Sequence, residues 1–183
     1  MDLEALHHSC AHLLASAIKE LYPNVKLAIG PSIEDGFYYD FDKIKITDKD
    51  LAKIEAKMQE IVNRKLNFEK VLMKRKEAEK FLKNEPYKLE LLKEIPGEKV
   101  QFYKHGNFYY LCKGGHIKNT SELKAVKLTN VAQAYWKGDS ENKQLTRIYG
   151  TAWSSKDELK SYLERLEEAE KRDHRKIGRE LEL

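Results

Sequence analysis

Only two cysteines occur in the 183 residues, Cys10 and Cys112, and they stand so far apart that no disulfide framework is indicated. Prolines number four, and no stretch combines Pro, Gly and Ser, so the chain has no flexible linker to divide it. No apolar run approaches the roughly 20 residues of a membrane-spanning helix, and the amino-terminal residues show no basic leader followed by a long apolar segment. These absences predict a soluble protein in a reducing, cytoplasmic setting, with no membrane partner. Charge of one sign is scarce as well: the formal net charge is +4. That excess is compatible with RNA phosphates but does not single out a nucleic-acid binder.

What the chain has in quantity is charge of both signs, 35% of its residues, beside 41% hydrophobic residues. The apolar fraction is enough to bury a core in one domain, and the charge points to long solvated helices or a surface that meets a polyelectrolyte. Leu3, Leu6, Cys10, Leu13, Leu14, Ala17 and Leu21 recur at helical spacing up to Pro23, which predicts an opening amphipathic helix. Val25 to Phe41 sets Gly30, Pro31 and Gly36 among β-favouring residues and reads as strand, turn, strand. Thr47 and Asp50 have the form of an acidic capping box, and Leu51, Ile54, Met58, Ile61 and Val62 supply the stripe of a second helix to about Asn63.

Farther on, Phe68 to Met73 predicts a short strand, and Lys74 to Lys83 a charged helix with Pro86 at its exit. Leu89 to Ile95 continues helically on thinner evidence. Val100 to Ile117 reads as two strands turned around Gly106, Gly114 and Gly115, and Val126 to Tyr135 as a further strand pair. Ser155 with Glu158 repeats the capping-box pattern, and the stripe Leu159, Tyr162, Leu163, Leu166 then becomes almost wholly charged. The economical description is an α+β fold, an antiparallel sheet with packed helices: one domain over residues 1–153 and a connecting helix over 154–183. The helical pattern still running at Leu183 reads as part of a longer chain.

Two pairs of residues carry chemistry. His8 and His12 stand four apart on the predicted opening helix, so their imidazoles project from one face. Taken alone they read equally as solvated polar residues at a helix edge. Cys112 and His116 enclose two glycines, which permit a sharp bend that turns thiol and imidazole toward one centre; the plainer alternative for Cys112 is a small buried apolar residue. Together the four offer three nitrogens and one sulfur, a ligand set suited to Zn²⁺, while the same groups without metal can hold a water and polarise an ester. A nucleophilic cysteine is a further option, but no protease-like signature surrounds Cys112.

At these residues the sequence resembles a known family. His-Ser-Cys-Ala-His-Leu-Leu at 8–14, Ile-Gly-Pro-Ser-Ile-Glu-Asp-Gly-Phe-Tyr-Tyr-Asp at 29–40, Cys-Lys-Gly-Gly-His at 112–116, Ala-Tyr-Trp-Lys-Gly-Asp at 134–139 and Gln-Leu-Thr-Arg-Ile-Tyr-Gly-Thr-Ala-Trp at 144–153 are similar, in order, to the editing domain of bacterial-type threonyl-tRNA synthetases. Lys-Arg-Asp-His-Arg-Lys-Ile-Gly at 171–178 resembles the linker into that family's aminoacylation core.

The resemblance implies that His8, His12, Cys112 and His116 line a hydrolytic pocket and that Tyr39 and Lys88 contact substrate. By themselves Tyr39 reads as an aromatic packed in a strand and Lys88 as a solvated charge. It also implies hydrolysis of seryl-tRNA(Thr), with the acceptor end of tRNA(Thr) as partner. Among relatives the threonyl members often work without a metal and the alanyl-type members hold one, so no obligatory metal is expected. ATP, threonine and a catalytic zinc would belong to a core beyond Leu183, in an enzyme expected to be a homodimer, with this stretch alone a monomer. Tyr38, Tyr39, Tyr135 and Trp136 are candidates to stack the terminal adenosine.

Three positions depart from the family pattern. Tyr110, a third candidate for substrate contact, stands where an acidic residue is common, removing a carboxylate that could anchor the substrate ammonium or orient a histidine. Gln133 replaces a glycine, and Gly115 a frequent proline. Two competing readings follow: a degenerate module that binds tRNA without hydrolysing it, and a freestanding zinc-dependent deacylase of the alanyl type.

Overall fold

The structure, a computed structural model, describes the backbone of residues 2–181 and the side chains of residues 2–175. The opening helix α1 (Leu3–Leu21) starts where the Asp2 carboxylate accepts the Glu4 N–H at 3.0 Å, and it stops before Pro23. Its amphipathic pattern understates its burial. From Leu6 to Ile18 every side chain except that of His8 is buried, because α1 packs against a second helix, α2 (Leu51–Asn63), and against a sheet. Polar residues His7, Ser9, His12 and Ser16 are therefore inside the protein and need partners there.

The first sheet is antiparallel and holds β1 (Lys26–Leu27), β2 (Ser32–Ile33), β3 (Gly36–Asp42), β7 (Ala125–Tyr135) and β8 (Gln144–Trp153). β3 is its buried spine, sending Phe37, Tyr39 and Phe41 onto α1, each 0% exposed. Burying each such ring is worth about 1.5–3 kcal/mol, so this strand and α1 make the main core. The predicted hairpin forms with a broken first arm: β1 and β2 pair in turn with β3, interrupted at Gly30-Pro31. The expected strand pair over Val126–Tyr135 is instead one long strand. β7 carries a bulge between Leu128 and Asn130 and pairs with β8, a strand that shows in the sequence only as a motif. The bulge supplies the break in alternation that mimics a turn.

A smaller antiparallel sheet holds β4 (Phe68–Lys74), β5 (Lys99–His105) and β6 (Phe108–Leu111) in that order. Two short helices, α3 (Arg75–Phe81) and α4 (Pro86–Lys93), cover one of its faces through Ala78, Leu82, Leu92, Val100 and Phe102. Pro86 does not mark an exit: it occupies the first turn of α4, where its missing N–H costs nothing, so that helix begins before the expected Leu89. After β8 the chain enters α5 (Lys156–Leu181), where Ser155 Oγ accepts the Glu158 N–H at 3.2 Å and the Glu158 carboxylate accepts the Ser154 N–H at 3.3 Å. Trp153 and Tyr162, ring centroids 5.0 Å apart, hold its start to the sheet. Among the described residues no helix is long and apolar enough to cross a membrane.

Candidate functional site

The two sheets meet at α1, and the four chemistry-bearing residues meet there too. His8 and His12 face the loop that follows β6, with their Nε2 atoms 3.1 Å apart. Cys112 Sγ lies 3.3 Å from His8 Nε2 and 3.0 Å from His116 Nε2. All four ligand atoms fall within 4.8 Å of one another. The bend that delivers Cys112 and His116 depends on Gly114 and Gly115, at φ +114° and +86°, values that L side chains rarely adopt. Proline, locked near −65°, cannot take the second of these, so the loop here differs from one built on the family's usual residue.

Ser9 fastens the loop to the helix. Its hydroxyl donates to Ala5 O at 2.8 Å and accepts the Ile117 N–H at 3.0 Å, with His116 Nδ1 at 3.5 Å on the same oxygen. Phe68 stacks on the His116 ring at 5.5 Å and Tyr103 leans on it at 4.7 Å. Tyr110, buried on β6, stacks on His12 with ring centroids 3.8 Å apart, and its hydroxyl sits 3.4 Å from His105 Nδ1. In the place of a carboxylate, then, His12 has an aromatic wall. The adjacent His7 serves the core, with Nε2 2.8 Å from Ala152 O. Phe68, Tyr103 and His105 carry no sequence signal as site residues, and Ser9 carries a single one. Only the position of Ser9 inside the His-Ser-Cys-Ala-His run pointed to it.

These contacts fix the protonation pattern. Ser9 Oγ gives its proton to Ala5 O, which favours the His116 tautomer with its proton on Nδ1 and a lone pair on Nε2, where the Cys112 thiol can meet it. His12 Nδ1 is buried with no partner. An N–H there would be costlier than a lone pair, so the proton belongs on Nε2, directed at His8 Nε2. Burial holds His12 well below the usual imidazole range, with the neighbouring His8 and His116 adding to the effect. It lowers His116 to about 3 and lowers His8 as well, although Glu4 opposes the shift at His8. Burial raises the Cys112 thiol. The cluster is thus neutral at pH 7, and the cysteine is a thiol rather than a ready nucleophile.

Two more expected residues border the cluster. Tyr39 is buried with its hydroxyl unpartnered, its ring lying where a Cβ on Gly30 would collide with it. Lys88 is 6% exposed, not the solvated charge it resembles in sequence, and its Nζ stands 5.3 Å over the Tyr39 ring. Among the described residues that ammonium makes no hydrogen bond or ion pair, and burial lowers it to about 8 despite help from Glu85 and Cys112. Of the proposed stacking aromatics, Trp136 is buried with Nε1 on Glu90 at 2.8 Å, Tyr38 lies under the Arg147 guanidinium at 3.8 Å, and Tyr135 is exposed.

A metal fits the donor set: three imidazoles and a thiol suit tetrahedral Zn²⁺. The support around it is partial. Ligating histidines usually donate their second N–H to a partner, which His116 has in Ser9 and His12 lacks.

The model of the threonyl and alanyl tRNA synthetase second additional domain matches residues 100–149, spanning the Cys112–His116 loop and most of β7 and β8. Nearly the whole chain also matches threonine–tRNA ligases: 52% identity over 98% of it for the protein of Acetivibrio thermocellus, 54% over 99% for Nitrosococcus oceani, and 52% over 99% for Rubrobacter xylanophilus. The chain is thus similar, over nearly its whole length, to one segment of threonine–tRNA ligases. It spans 28–29% of the length of those threonine–tRNA ligases. The family match covers Cys112 and His116, while His8 and His12 fall in the part reached by the longer alignments, so both halves of the cluster lie within synthetase-like sequence.

Proposed function

We propose that the cluster hydrolyses the ester of seryl-tRNA(Thr), removing serine wrongly attached by a threonine-activating enzyme of which this chain, with domain 1–153 and connecting helix 154–183, is one part. A site that selects threonine by its hydroxyl also accepts serine, and the missing methyl discriminates by only about 1–3 kcal/mol. A second pocket too small for that methyl supplies the remaining accuracy. The observation that carries the reading is the neutral His/Cys cluster bordered by the buried, unpartnered Tyr39 hydroxyl and by Lys88, a largely buried lysine whose ammonium makes no hydrogen bond or ion pair among the described residues. Unpaired buried groups cost about 1–3 kcal/mol each, a penalty that makes sense where a ligand completes them.

A water entering the cluster replaces the bond between His12 and His8. It accepts the His12 Nε2–H and gives a proton to His8 Nε2, which turns its remaining lone pair toward the ester carbonyl. His8 is the base of choice, being the least enclosed of the three and the one with a carboxylate, Glu4, nearby. Lys88 faces the negative charge that grows on the carbonyl oxygen. The proton on His8 then passes to the departing ribose oxygen. Zn²⁺, if bound, would be held by His8, His12, His116 and the deprotonated Cys112 and would supply Lewis acidity beside the ester.

The acceptor end of tRNA(Thr) is the proposed partner, and the ATP and zinc chemistry of threonine attachment belongs to the rest of a homodimeric, cytoplasmic synthetase. Tyr110 favours a second reading, a module that grips tRNA without hydrolysis, because it walls His12 without offering a carboxylate. The test is deacylation of seryl- against threonyl-tRNA, with zinc measured on the same sample. Faster loss of serine than of threonine, abolished by His12→Ala, supports the hydrolase. Tight tRNA binding with serine loss no faster than in buffer supports the module instead.

A further inference from the structure

The cluster stands at one end of an uncovered strip of sheet. Residues opposite one another on paired strands share a face, and the register sets Lys70 against Tyr103, Leu72 against Gln101 and Lys74 against Lys99. Tyr103 is in turn opposite Tyr110. One end of this face is closed: His105 and Tyr110 are buried beside α1, with His105 Nε2 2.9 Å from Ser16 Oγ. Its middle is Tyr103, half-buried against His116. Its far end is open, with Lys70, Lys74 and Lys99 exposed and Leu72 57% exposed. Gln101 Nε2 donates to Cys112 O at 3.1 Å, tying the strip to the loop of the cluster.

The charge on the strip has one sign. Glu69, the single acid in β4, points to the opposite face and meets Lys104 there at 3.5 Å. Lys70, Lys74 and Lys99 make no ion pair among the described residues. Tyr103 and Lys99 are four residues apart, about 13 Å of extended strand.

We infer that this strip, Tyr103, Lys70, Leu72, Lys74 and Lys99, is the track on which the unpaired nucleotides preceding the reacting one lie when an RNA 3′ end enters the cluster. The inference rests on the hydrolase reading for its direction. Bases lie over Leu72 and Tyr103, as single-stranded ends lie on apolar and aromatic side chains, and phosphates meet the three ammonium groups. A protein partner covering Leu72 would have to bring carboxylates for three lysines; one RNA strand satisfies both needs.

The test uses the 183-residue chain with Lys70→Gln and Lys99→Gln combined. Binding of a labelled single-stranded RNA ending in CCA is titrated across a salt series, alongside hydrolysis of seryl-tRNA and of a seryl ester of adenosine. Removing one lysine–phosphate pairing lowers the slope of log affinity against log salt by about 0.7, so removing two lowers it by about 1.4 and weakens binding roughly 25-fold between 1 M and 0.1 M salt. Hydrolysis of the adenosine ester, which has no phosphates, stays at the wild-type rate, and Lys70→Arg with Lys99→Arg restores RNA binding. An unchanged slope, or weakening that salt does not modulate, overturns the inference. Should the glutamine pair melt at a lower temperature, Leu72→Ala replaces it: weaker RNA binding supports the track and unchanged binding overturns it. Binding is read without catalysis, so an inactive wild type would sink the hydrolase reading and leave this one decided on its own evidence.

Discussion

Lys88 lets stability and activity be set against each other. The residue is 6% exposed, its ammonium has the Tyr39 ring beneath it but no hydrogen bond or ion pair among the described residues, and its pKa falls from 10.5 to about 8. That fall corresponds to roughly 3 kcal/mol by which the folded state disfavours the charged lysine. Below about pH 8 the lysine is charged in both states and the penalty is complete. Between about 8 and 10.5 the unfolded chain holds more protons than the folded one, so stability rises with pH and the penalty fades. Methionine nearly matches the lysine stem in volume and needs no partner. Lys88→Met should therefore be more stable than wild type by about 2–3 kcal/mol at pH 7, or roughly 4–12 °C in melting temperature for a chain of this size. The gap should shrink toward zero near pH 10. Cysteines and tyrosines that titrate in the same range are common to both proteins and largely cancel in the difference. Urea unfolding at pH 7, 8, 9 and 10 reads the gap, and deacylation of seryl-tRNA by the same samples should fall at least about 100-fold if Lys88 stabilises developing charge. A variant less stable than wild type, or a gap that does not move with pH, would show the ammonium to be solvated or paired and refute the reasoning.

Ser9→Ala leaves the buried Ile117 N–H unpaired and frees the loop of the cluster, so it should cost about 1–3 kcal/mol in urea unfolding and lower kcat more than KM; an unchanged kcat would mean the loop is held by other contacts. Gly30→Ala drives a methyl into the Tyr39 ring and should destabilise by about 1–3 kcal/mol, with a displaced Tyr39 visible as a raised KM. Acid should unfold the protein early: His12, His116 and His105 are held below 6.5 by burial, so the unfolded chain binds more protons as pH falls through 6.5. Melting temperature should then drop steadily from pH 6.5 toward 4, and His105→Gln should flatten that drop. The rate of the proposed hydrolysis should rise with pH with its midpoint below 6.5, because His8 is lowered by burial and must be neutral to accept a proton; a midpoint above 6.5 would point to a different base.

Much of the fold is legible in the residues alone. The stripes of Leu3 to Leu21 and of Leu51 to Val62 place α1 and α2 closely, and the Thr47–Asp50 box caps a 3₁₀ turn, Asp48–Asp50, that leads straight into α2, since helical stripes and caps are local signals. The strand pairing of β7 with β8 is not legible, because a bulge at Thr129 breaks the alternation by which a long strand is recognised. Pro86 misleads because the same missing N–H that ends one helix is harmless in the first turn of the next. The His/Cys pairs are visible as spacings, but their meeting rests on α1 packing against the β6 loop, a contact across more than a hundred residues that no local pattern encodes. For the same reason Phe68, Tyr103 and His105 look like ordinary strand residues.

The seam between the two sheets sets how this molecule should fail. One half of the cluster belongs to the large core and the other to the small sheet, which has its own apolar filling beneath α3 and α4. A drift of about a single ångström between these halves would separate sulfur from imidazole while leaving each half intact. Warming should therefore silence hydrolysis before either core melts, and a crosslink spanning the seam should carry activity to higher temperature without changing what the halves themselves withstand.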